Sequence, residues 1–442
     1  MSGLLGVLLA AAIAFAAAPA AADDPAPAPH WVTSWATSAQ GPYSVGYPSA
    51  QPSLKFALPD ALVGARDQTF RLIVHPDVWG PSSRLRFSNA FGTRPVTFDG
   101  VYVGERAIGG NLVAGTNRPV SFAGRASVTL QPGRSVWSDA VQLPFVVSGA
   151  QLGGRKLAVS FHVVGDSGPM TWHAKALTTS YLTGPGTGAA GSLESDAAYP
   201  FTTASWYFLD AVDMMMPAGT RLVVALGDSI IDGTDSTLNG DDRWPDRLSR
   251  RLHDVYGERV AVVNEGIGGN RVAGPATYSA AQPFAGGPAA GQRLQRDVLE
   301  LSGVSTVIWL EGINDFGRAG QGATPETVEG AVRAAVGRMR ASLHGVRIVG
   351  ATLTTAFGST NPDHGSSEED VKRRAFNDFV RASTLFDAVI DFDKVTLDPS
   401  SGKMKPEFVP DSTIGGAGDG LHPNRAGYQA MADAIDLRSL LP

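Results

Sequence analysis

The chain has 442 residues, which exceeds the size that one hydrophobic core usually serves, so its length predicts two domains. Its formal net charge of -6 supplies no basic surface for nucleic acid or an anionic membrane, and we expect neither partner. Cysteine is absent from the sequence, which excludes a thiolate nucleophile and cysteine-ligated metal. Small or neutral molecules remain as the expected partners, and the oligomeric state is left open.

Residues 4–18 form an apolar run that is followed by the small residues 20–22. The run is too short to span a bilayer comfortably, and the small residues after it favour a cleavage site. These features predict a signal peptide over residues 1–22 and a proline- and alanine-rich linker over residues 23–30. We therefore expect a secreted or periplasmic protein with no membrane span after signal cleavage.

Residues 31–216 show almost no helical periodicity and contain short β-forming runs separated by glycine, proline, asparagine and aspartate. This pattern predicts an all-β domain, an antiparallel sandwich or jelly roll. The predicted strands cover residues 69–75, 84–88, 96–103, 127–130, 156–164 and 177–182.

Residues 217–442 alternate apolar strands with amphipathic helices, which predicts a doubly wound α/β domain with a five-stranded parallel sheet. The predicted strands cover residues 221–226, 259–264, 305–310, 347–353 and 388–392. The predicted helices cover residues 243–256, 292–301, 325–343, 367–382 and 424–435. Sites on such sheets lie at the carboxyl ends of the strands, so we expect chemistry directly after them.

The tripeptide Gly-Asp-Ser, ending at Ser229, follows the first of these strands. A serine at this position can present its hydroxyl to a cleft, although Ser229 could also be no more than a helix cap. The same tripeptide also ends at Ser167, in the β-rich half. It lacks the second glycine of a trypsin-like serine motif, so we interpret Ser167 as part of a hairpin loop.

Residues 264–271 follow the second strand and read Asn-Glu-Gly-Ile-Gly-Gly-Asn-Arg. Their glycines allow backbone N–H groups to approach a ligand closely, but they do not form the G-x-G-x-x-G pattern of dinucleotide binding. Asn314 follows the third strand, and its amide could donate to a developing oxyanion. Taken alone, each of these two runs is better explained as a polar loop.

Asp419 and His422 stand three residues apart near the end of the chain, and Pro423 follows. An imidazole can accept the proton of a serine, and a carboxylate can fix the tautomer of that imidazole. The proline restricts His422 to extended backbone. The alternative is a surface histidine beside a helix start. The joint occurrence of these motifs, each where a doubly wound sheet has its site, favours catalysis.

Taken together, these motifs resemble those of the SGNH (GDSL-type) hydrolase family over about residues 219–438. The resemblance implies a flavodoxin-like parallel sheet of five strands and the activity of a serine esterase. It implies Ser229 as the nucleophile, with Asp419 and His422 completing a catalytic triad. The one departure is Ile230, where the family name has leucine.

The same resemblance implies an oxyanion hole. Its donors would be the backbone N–H groups of Ser229 and Gly269 and the side-chain amide of Asn314. Gly268 is the alternative to Gly269, because the family's glycine can be matched to either position.

Residues 31–37 and 84–92 resemble, more weakly, the two-domain secreted branch of this family, in which a β-rich domain precedes the hydrolase. That branch is associated with acyl groups on plant polysaccharides and with general carboxylesterase activity. Trp31 and Trp35 lie in the first of these segments, and we favour core packing over sugar stacking for both.

These patterns predict the hydrolysis of short-chain carboxylic esters, acetyl above all, on a small molecule or polysaccharide through an acyl-enzyme. No cofactor and no metal are needed, because no group of histidine, aspartate and glutamate has metal-ligand spacing in the sequence. A broad short-chain or aryl esterase or a lipase-like acylhydrolase is the alternative, and a non-catalytic glycan-binding protein is a remote one. Residues 273–291, with Tyr278 and Phe284, could form an apolar wall for a longer acyl chain.

The pH dependence is expected to follow His422, whose unperturbed side-chain pKa would lie near ~6.5. Asp419 should raise this pKa, and the helix N-terminus that follows should lower it. We therefore expect an acid limb of activity around pH 6–7.

Overall fold

The computed structural model describes residues 28–46, 50–320 and 322–441. The predicted signal peptide, residues 1–22, and residues 23–27 of the predicted linker lie outside the described residues. Within the described part of the chain, no helix is both long and apolar enough to cross a membrane.

Antiparallel strands make up the first half of the described chain. In chain order they are β1 (His30–Ala36), β2 (Gly41–Pro42), β3 (Arg66–Val74), β4 (Ser82–Ser88), β5 (Val96–Glu105), β6 (Arg118–Pro119), β7 (Val128–Leu130), β8 (Ser135–Trp137), β9 (Val141–Gln142), β10 (Leu157–Asp166), β11 (Thr171–His173), β12 (Ser180–Leu182), β13 (Phe201–Thr203), β14 (Trp206–Tyr207) and β15 (Leu209–Met216). The prediction of a β-rich antiparallel domain is confirmed.

These strands form sheets of five, seven and three strands. The five-stranded sheet has the order β1-β15-β4-β8 with β9 beside β4, and the seven-stranded sheet has the order β13-β12-β3-β10-β5-β6 with β7 beside β5. Phe87 of the first sheet packs on Phe98 and Phe161 of the second, with ring centroids 5.2 Å apart in both pairs. The two large sheets therefore face each other across an aromatic core, as in a sandwich.

Nine of these strands fall outside the predicted runs, and the longest of the nine are β1 and β15. In β15 the buried Asp210 and Asp213 interrupt the apolar pattern, and each carboxylate is paired with an arginine of the neighbouring strand β4. In β1, Trp35 is buried and packs edge-to-face on Trp206 at 5.0 Å, while the guanidinium of Arg84 lies over the ring of Trp31. Both tryptophans therefore pack within the protein, as expected.

A parallel sheet forms the second half. Its strands are β16 (Arg221–Gly227), β17 (Val260–Gly266), β18 (Val304–Leu310), β19 (Arg347–Ala351) and β20 (Ala388–Ile390). They lie in the order β17-β16-β18-β19-β20, and all four pairings are parallel. This is the flavodoxin-like order, so the predicted fold class is confirmed for this half.

Helices cover both faces of this sheet. They are α1 (Ser229–Asp232), α2 (Trp244–Tyr256), α3 (Ala290–Leu294), α4 (Ile313–Phe316), α5 (Pro325–Ser342), α6 (Ser367–Ala382), α7 (Phe392–Thr396) and α8 (Arg425–Asp433). Short 3-10 turns lie at Gly149–Leu152, Gly257–Arg259, Arg318–Gly320, Pro406–Phe408 and Leu437–Ser439. A π-helical turn, Gln295–Leu299, continues α3, so the helix predicted over residues 292–301 is two segments. Thr324 caps α5 ahead of Pro325, as predicted.

The two halves are joined by polar contacts as well as by one continuous apolar core. The backbone N–H of Thr33 in β1 donates to the carbonyl of Ser302 at 3.0 Å, and the N–H of Ser302 donates to Thr33 Oγ1 at 2.9 Å. Asp213 accepts from the hydroxyls of both residues at 2.7 Å. Since β15 ends at Met216 and β16 begins at Arg221, we propose residues 31–216 and 217–442 as the two domains.

Candidate active site

The predicted site residues meet at the carboxyl edge of the parallel sheet. Ser229 follows β16, Gly269 follows β17 and Asn314 follows β18, while His422 stands shortly before α8. All four line one cavity of about 280 Å³. In the flavodoxin-like strand order, this edge is where a ligand site is expected.

Ser229, His422 and Asp419 form a hydrogen-bonded chain. Ser229 Oγ lies 2.9 Å from His422 Nε2, and His422 Nδ1 lies 2.8 Å from Asp419 Oδ2. Asp419 stands behind His422, on the side of the imidazole opposite Ser229. The geometry suits a serine whose proton moves to an imidazole that a carboxylate orients.

Local hydrogen bonds hold the Asp419 carboxylate in this pose. Its Oδ1 accepts from the backbone N–H groups of Leu421 and His422 at 2.8 and 2.9 Å. The backbone carbonyl of Asp419 accepts from the Ser359 hydroxyl at 2.7 Å, and this bond holds the turn against the neighbouring loop. Burial disfavours ionisation, but the hydrogen bond and charge of His422 outweigh it and hold the pKa of Asp419 well below its usual range.

The turn after β16 places Ser229 at the start of α1. The helix cap is Asp228 rather than Ser229, because Asp228 Oδ1 accepts from the N–H of Ile230 at 2.9 Å. The serine hydroxyl is therefore left to contact His422. Gly227 cannot carry a side chain here, since a Cβ would lie 1.9 Å from the carbonyl oxygen of Leu310 on β18.

In the loop after β17, Gly268 and Gly269, the two glycines that the sequence offers as oxyanion donors, have different surroundings. The N–H of Gly268 donates to Asp232 Oδ2 at 2.9 Å, so this donor is engaged inside the protein. Gly269 has a φ of +80°, a conformation that favours glycine, and it lines the cavity beside Ser229. The Asn314 amide donates to the carbonyl of Asn270 at 2.9 Å, which fixes the orientation of its side chain.

A buried arginine that the sequence did not reveal organises these loops. Arg293 on α3 is 1% exposed. Its guanidinium donates to the carbonyls of Gly227 and Glu265 at 2.7 and 2.8 Å and to Asn270 Oδ1 at 2.7 Å. The same group pairs with Asp297 at 3.1 Å. Arg293 therefore joins the ends of β16 and β17 to the loop that carries Gly269.

Asp419 raises the pKa of His422, as expected, but burial, which the expectation from the sequence left out, outweighs it. Removal from water is the largest effect and lowers the pKa of His422 below its ordinary value. The hydrogen bond and charge of Asp419 oppose this, whereas Lys175 and His364 lower the pKa further. The imidazole is therefore neutral, and able to accept a proton, at more acidic pH than the sequence predicts.

Several polar side chains that were not predicted also line the cavity. They are Lys175, Arg271, Asn361, Asp363 and His364. His364 is hydrogen-bonded through Nδ1 to the buried Glu369, the third residue of α6. Arg271 ends the run after β17, but no sequence motif identified the other four, which lie in the loop after β11 and in the loop between β19 and α6.

The residues 273–291 contribute one aromatic ring to the cavity wall. Phe284 lines the cavity, but the guanidinium of Arg271 lies 4.3 Å from the centroid of its ring. Tyr278 instead donates its hydroxyl to the carbonyl of Gln40 at 2.9 Å. The stretch therefore does not form an extended apolar wall at this site.

A cluster of two carboxylates and one imidazole beside the site has the ligand types of a cation site. Oxygen atoms of Asp235 and Asp419 and a ring nitrogen of His422 all lie within 4.8 Å of one another. Asp419 and His422 are already bonded to each other, and the charge of Lys175 acts on both carboxylates. Burial raises the pKa of Asp235 to about 7, with repulsion from Asp411 and Asp419 adding to it. The arrangement fits proton transfer better than a metal site.

The second Gly-Asp-Ser tripeptide has a structural role. The Ser167 hydroxyl accepts from the N–H of Ala65 at 2.9 Å and donates to the carbonyl of Gly168 at 2.8 Å. The loop joins β10 to β11, which belong to different sheets, so the predicted hairpin is wrong. Ser167 is 1% exposed and lies outside the catalytic cavity.

Residues 225–430 match the model of the GDSL-like lipase/acylhydrolase family. Among solved structures, the chain is similar to an aryl esterase of M. smegmatis, at 17% identity over 50% of this chain and 100% of that one, with a TM-score of 0.38. It is also similar to a carbohydrate acetylesterase from Sinorhizobium meliloti, at 14% identity over 49% and 96% of the two chains, with a TM-score of 0.35. A search of curated protein sequences finds no match.

Replacing Arg293 with methionine is expected to lower the free energy of unfolding by about 3–5 kcal/mol, the usual cost of removing one partner from a buried charged network. Asp297, the Asn270 amide oxygen and two strand-end carbonyls would each lose the hydrogen bond that Arg293 donates. Chemical denaturation measures the change. Arg338→Met is the matched control. Arg338 is exposed on α5 and donates to Gly291 and Gln295, which lie in the helical segment that carries Arg293. Equal losses in the two variants would contradict the role of Arg293.

Proposed function

We propose that Ser229 is the nucleophile of this chain. Residues 225–430 form a GDSL-like lipase/acylhydrolase domain, and the chain is therefore a carboxylic ester hydrolase. Ser229 Oγ attacks the ester carbonyl while His422 accepts its proton, and Asp419 stabilises the resulting imidazolium. The observation that carries this proposal is the continuous chain of hydrogen bonds through these three residues, at 2.9 and 2.8 Å.

The negative charge that develops on the carbonyl oxygen needs preorganised donors. We assign the backbone N–H groups of Ser229 and Gly269 and the amide of Asn314 to this role. Gly269 is the better candidate of the two glycines because the N–H of Gly268 is occupied by Asp232. Asn314 has two amide N–H groups, and the bond to Asn270 uses one of them, which leaves the other for the oxyanion.

Collapse of the tetrahedral intermediate releases the alcohol, which takes the proton from His422. Water then attacks the acyl-enzyme with His422 again as base, and the acid is released. Every proton transfer in this cycle uses groups of the chain itself, so the proposed reaction requires no cofactor and no metal.

For the substrate, we propose a short acyl group, acetyl above all, on a hydroxyl-rich alcohol such as a carbohydrate. The cavity of about 280 Å³ is small, and beside the apolar Phe284, Pro362 and Leu421 it is lined by residues with polar side chains, Asn361, Asp363 and His364. Such groups form hydrogen bonds to hydroxyls, whereas a long acyl chain gains roughly 0.8 kcal/mol per CH₂ only in an apolar groove. The apolar run before residue 23 supports export of the enzyme to the periplasm or the medium.

A series of p-nitrophenyl esters from acetate to decanoate tests the acyl preference. We expect kcat/KM to be highest for acetate and to fall with chain length. Release of acetate from acetylated xylan, compared with hydrolysis of tributyrin, then separates a carbohydrate esterase from a broad short-chain esterase. A maximum at eight carbons or more would place the enzyme with the lipase-like acylhydrolases, and no turnover of any ester would favour a glycan-binding protein.

Ser229→Ala should lower kcat by about 10⁴–10⁶, as in other enzymes that lose the nucleophile of a triad. The fold should persist, which circular dichroism and the thermal midpoint would check. Ser167→Ala is the matched control from the duplicate tripeptide and should leave kcat and KM unchanged. If the Ser229 variant is active and the Ser167 variant is not, the assignment of the nucleophile is wrong.

Asn314→Ala should lower kcat by about 10²–10³ with little change in KM, because one preorganised oxyanion donor is lost. Asn361→Ala removes an amide from the same cavity and serves as the control, with kcat expected within a few-fold of the parent enzyme. Steady-state kinetics on p-nitrophenyl acetate measures both. A kcat for Asn314→Ala close to that of the parent would remove this residue from the mechanism.

The acid limb of kcat/KM should lie below pH ~6.5, the ordinary pKa of histidine, because burial lowers the pKa of His422. Neutral imidazole is the active base, so a lowered pKa preserves activity into mildly acidic solution, and activity is lost as the pH falls further. The profile is measured with p-nitrophenyl acetate at an isosbestic wavelength, alongside thermal unfolding over the same range. An acid limb above pH ~7 would contradict this assignment.

A further inference from the structure

Lys175 belongs to the β-rich half of the chain but lines the catalytic cavity. It lies between β11 and β12, and it is 6% exposed. The cavity wall includes Lys175 together with Ser229 and His422 of the second half. A buried lysine in such a place is unusual, because an ammonium group loses its hydration there.

The structure provides a passage for this side chain. A Cβ on Gly268 would lie 2.8 Å from Lys175 Nζ and 3.1 Å from its Cε, so the absence of a side chain at residue 268 leaves the room that the lysine occupies. The guanidinium of Arg243, at the cap of α2, donates to the carbonyls of Lys175 and Ala176 at 3.2 and 2.5 Å. The backbone and the side chain of Lys175 are thus both held by the second half.

The amino group of Lys175 has a neutral hydrogen-bond partner, and the charges of nearby carboxylates act on it. Nζ donates to Thr234 Oγ1 at 2.7 Å. Burial lowers the pKa of Lys175, and the charges of four carboxylates oppose it, namely those of Asp232, Asp235, Asp419 and Asp228. One of the four, Asp232, accepts from the N–H of Gly268. The side chain of Lys175 therefore ends near the acidic groups that support His422 and the loop of Gly268.

We propose that Lys175 is a positioning residue of the hydrolytic reaction, supplied by the β-rich half, whose charge balances the carboxylates around His422 and Gly268. The inference rests on the proposed function, since it requires His422 to act as the base. It extends that function by making the β-rich half part of the catalytic machinery.

The physical argument concerns the protonation state of His422. The charged and titratable groups near this imidazole are Asp419 and Asp235 on the acidic side and Lys175 and His364 on the basic side, and Asp363 and Arg271 line the same cavity. The carboxylates favour the imidazolium, which cannot accept the proton of Ser229, and the ammonium of Lys175 opposes them. Removal of that charge should therefore raise the pKa of His422 and protonate the base at higher pH.

Lys175→Gln and Lys175→Met test the proposal, because both remove the charge and glutamine keeps a hydrogen-bond donor. We expect the acid limb of kcat/KM to move up by about one pH unit in both, the effect of one nearby charge. At a pH on that limb, kcat/KM should fall up to about tenfold, while the plateau at alkaline pH changes less. The pH dependence of inactivation by phenylmethylsulfonyl fluoride reports the same titration independently of substrate binding.

Lys156→Met is the matched control. Lys156 also comes from the β-rich half and pairs across the same boundary, with its Nζ 2.8 Å from Asp241, but it does not line the catalytic cavity. If Lys175 only ties the two halves together, both lysine variants lose stability and neither moves the acid limb. That result, obtained with folded Lys175 variants, would overturn the proposal.

A third variant, Gly268→Ala, tests the role of Lys175 if both Lys175 variants fail to fold. Gly268→Ala keeps the lysine but displaces its flexible end, because the added methyl would lie 2.8 Å from Nζ. The acid limb should move up here as well, and an unchanged limb overturns the proposal. Ser229→Ala distinguishes a failure of the proposed function from a failure of the role of Lys175. Residual activity in Ser229→Ala refutes the proposed nucleophile. If Ser229→Ala is inactive but the acid limb of kcat/KM does not move in the Lys175 variants, only the role of Lys175 is refuted.

Discussion

The guanidinium of Arg293 is the constraint on which the geometry of the site depends. A cation that is removed from water must have each of its donors paired, and here the partners are strand-end carbonyls, an amide oxygen and a carboxylate. The ends of β16 and β17 are therefore held at fixed distances from each other. The loop after β17 is held through Asn270, and Asn270 in turn orients Asn314. The residues proposed as the nucleophile and the oxyanion donors are thus positioned through one side chain, that of Arg293.

The β-rich half is part of the same network. Ser38 accepts from Arg293 at 2.9 Å and donates to the buried carboxyl of Glu265 at 2.5 Å. His173 lies 3.3 Å from the carboxylate of Asp232, which accepts from the oxyanion loop. The two halves differ in architecture, but they share the polar contacts that shape one active site. A small rigid cavity is the natural product of such a boundary, because the groups that line it are fixed from both sides.

The fold and the triad could be predicted from the sequence because their signals are local. Short continuous apolar runs give the strands of the parallel sheet, and the caps at Thr324 and Ser366 mark the starts of α5 and α6. Ser229 and His422 stand in short motifs at strand ends. Lys175 and Arg293 carry no such signal, because a lysine in a loop and an arginine in a helix are ordinarily solvated. Their burial depends on partners far away in the sequence, and the lowered pKa of His422 has the same origin.

The contact between Thr33 and Ser302 has a consequence for how the molecule forms. Thr33 lies in β1, the first strand of the described residues, yet its hydroxyl oxygen accepts from an N–H that follows 269 residues later. The strand also pairs along its length with β15, from His30 opposite Met216 onward. Non-local pairings of this kind close large loops before they yield stabilisation, which slows folding. During synthesis β1 is thus an unpaired edge until β15 is complete at Met216, about halfway along the chain.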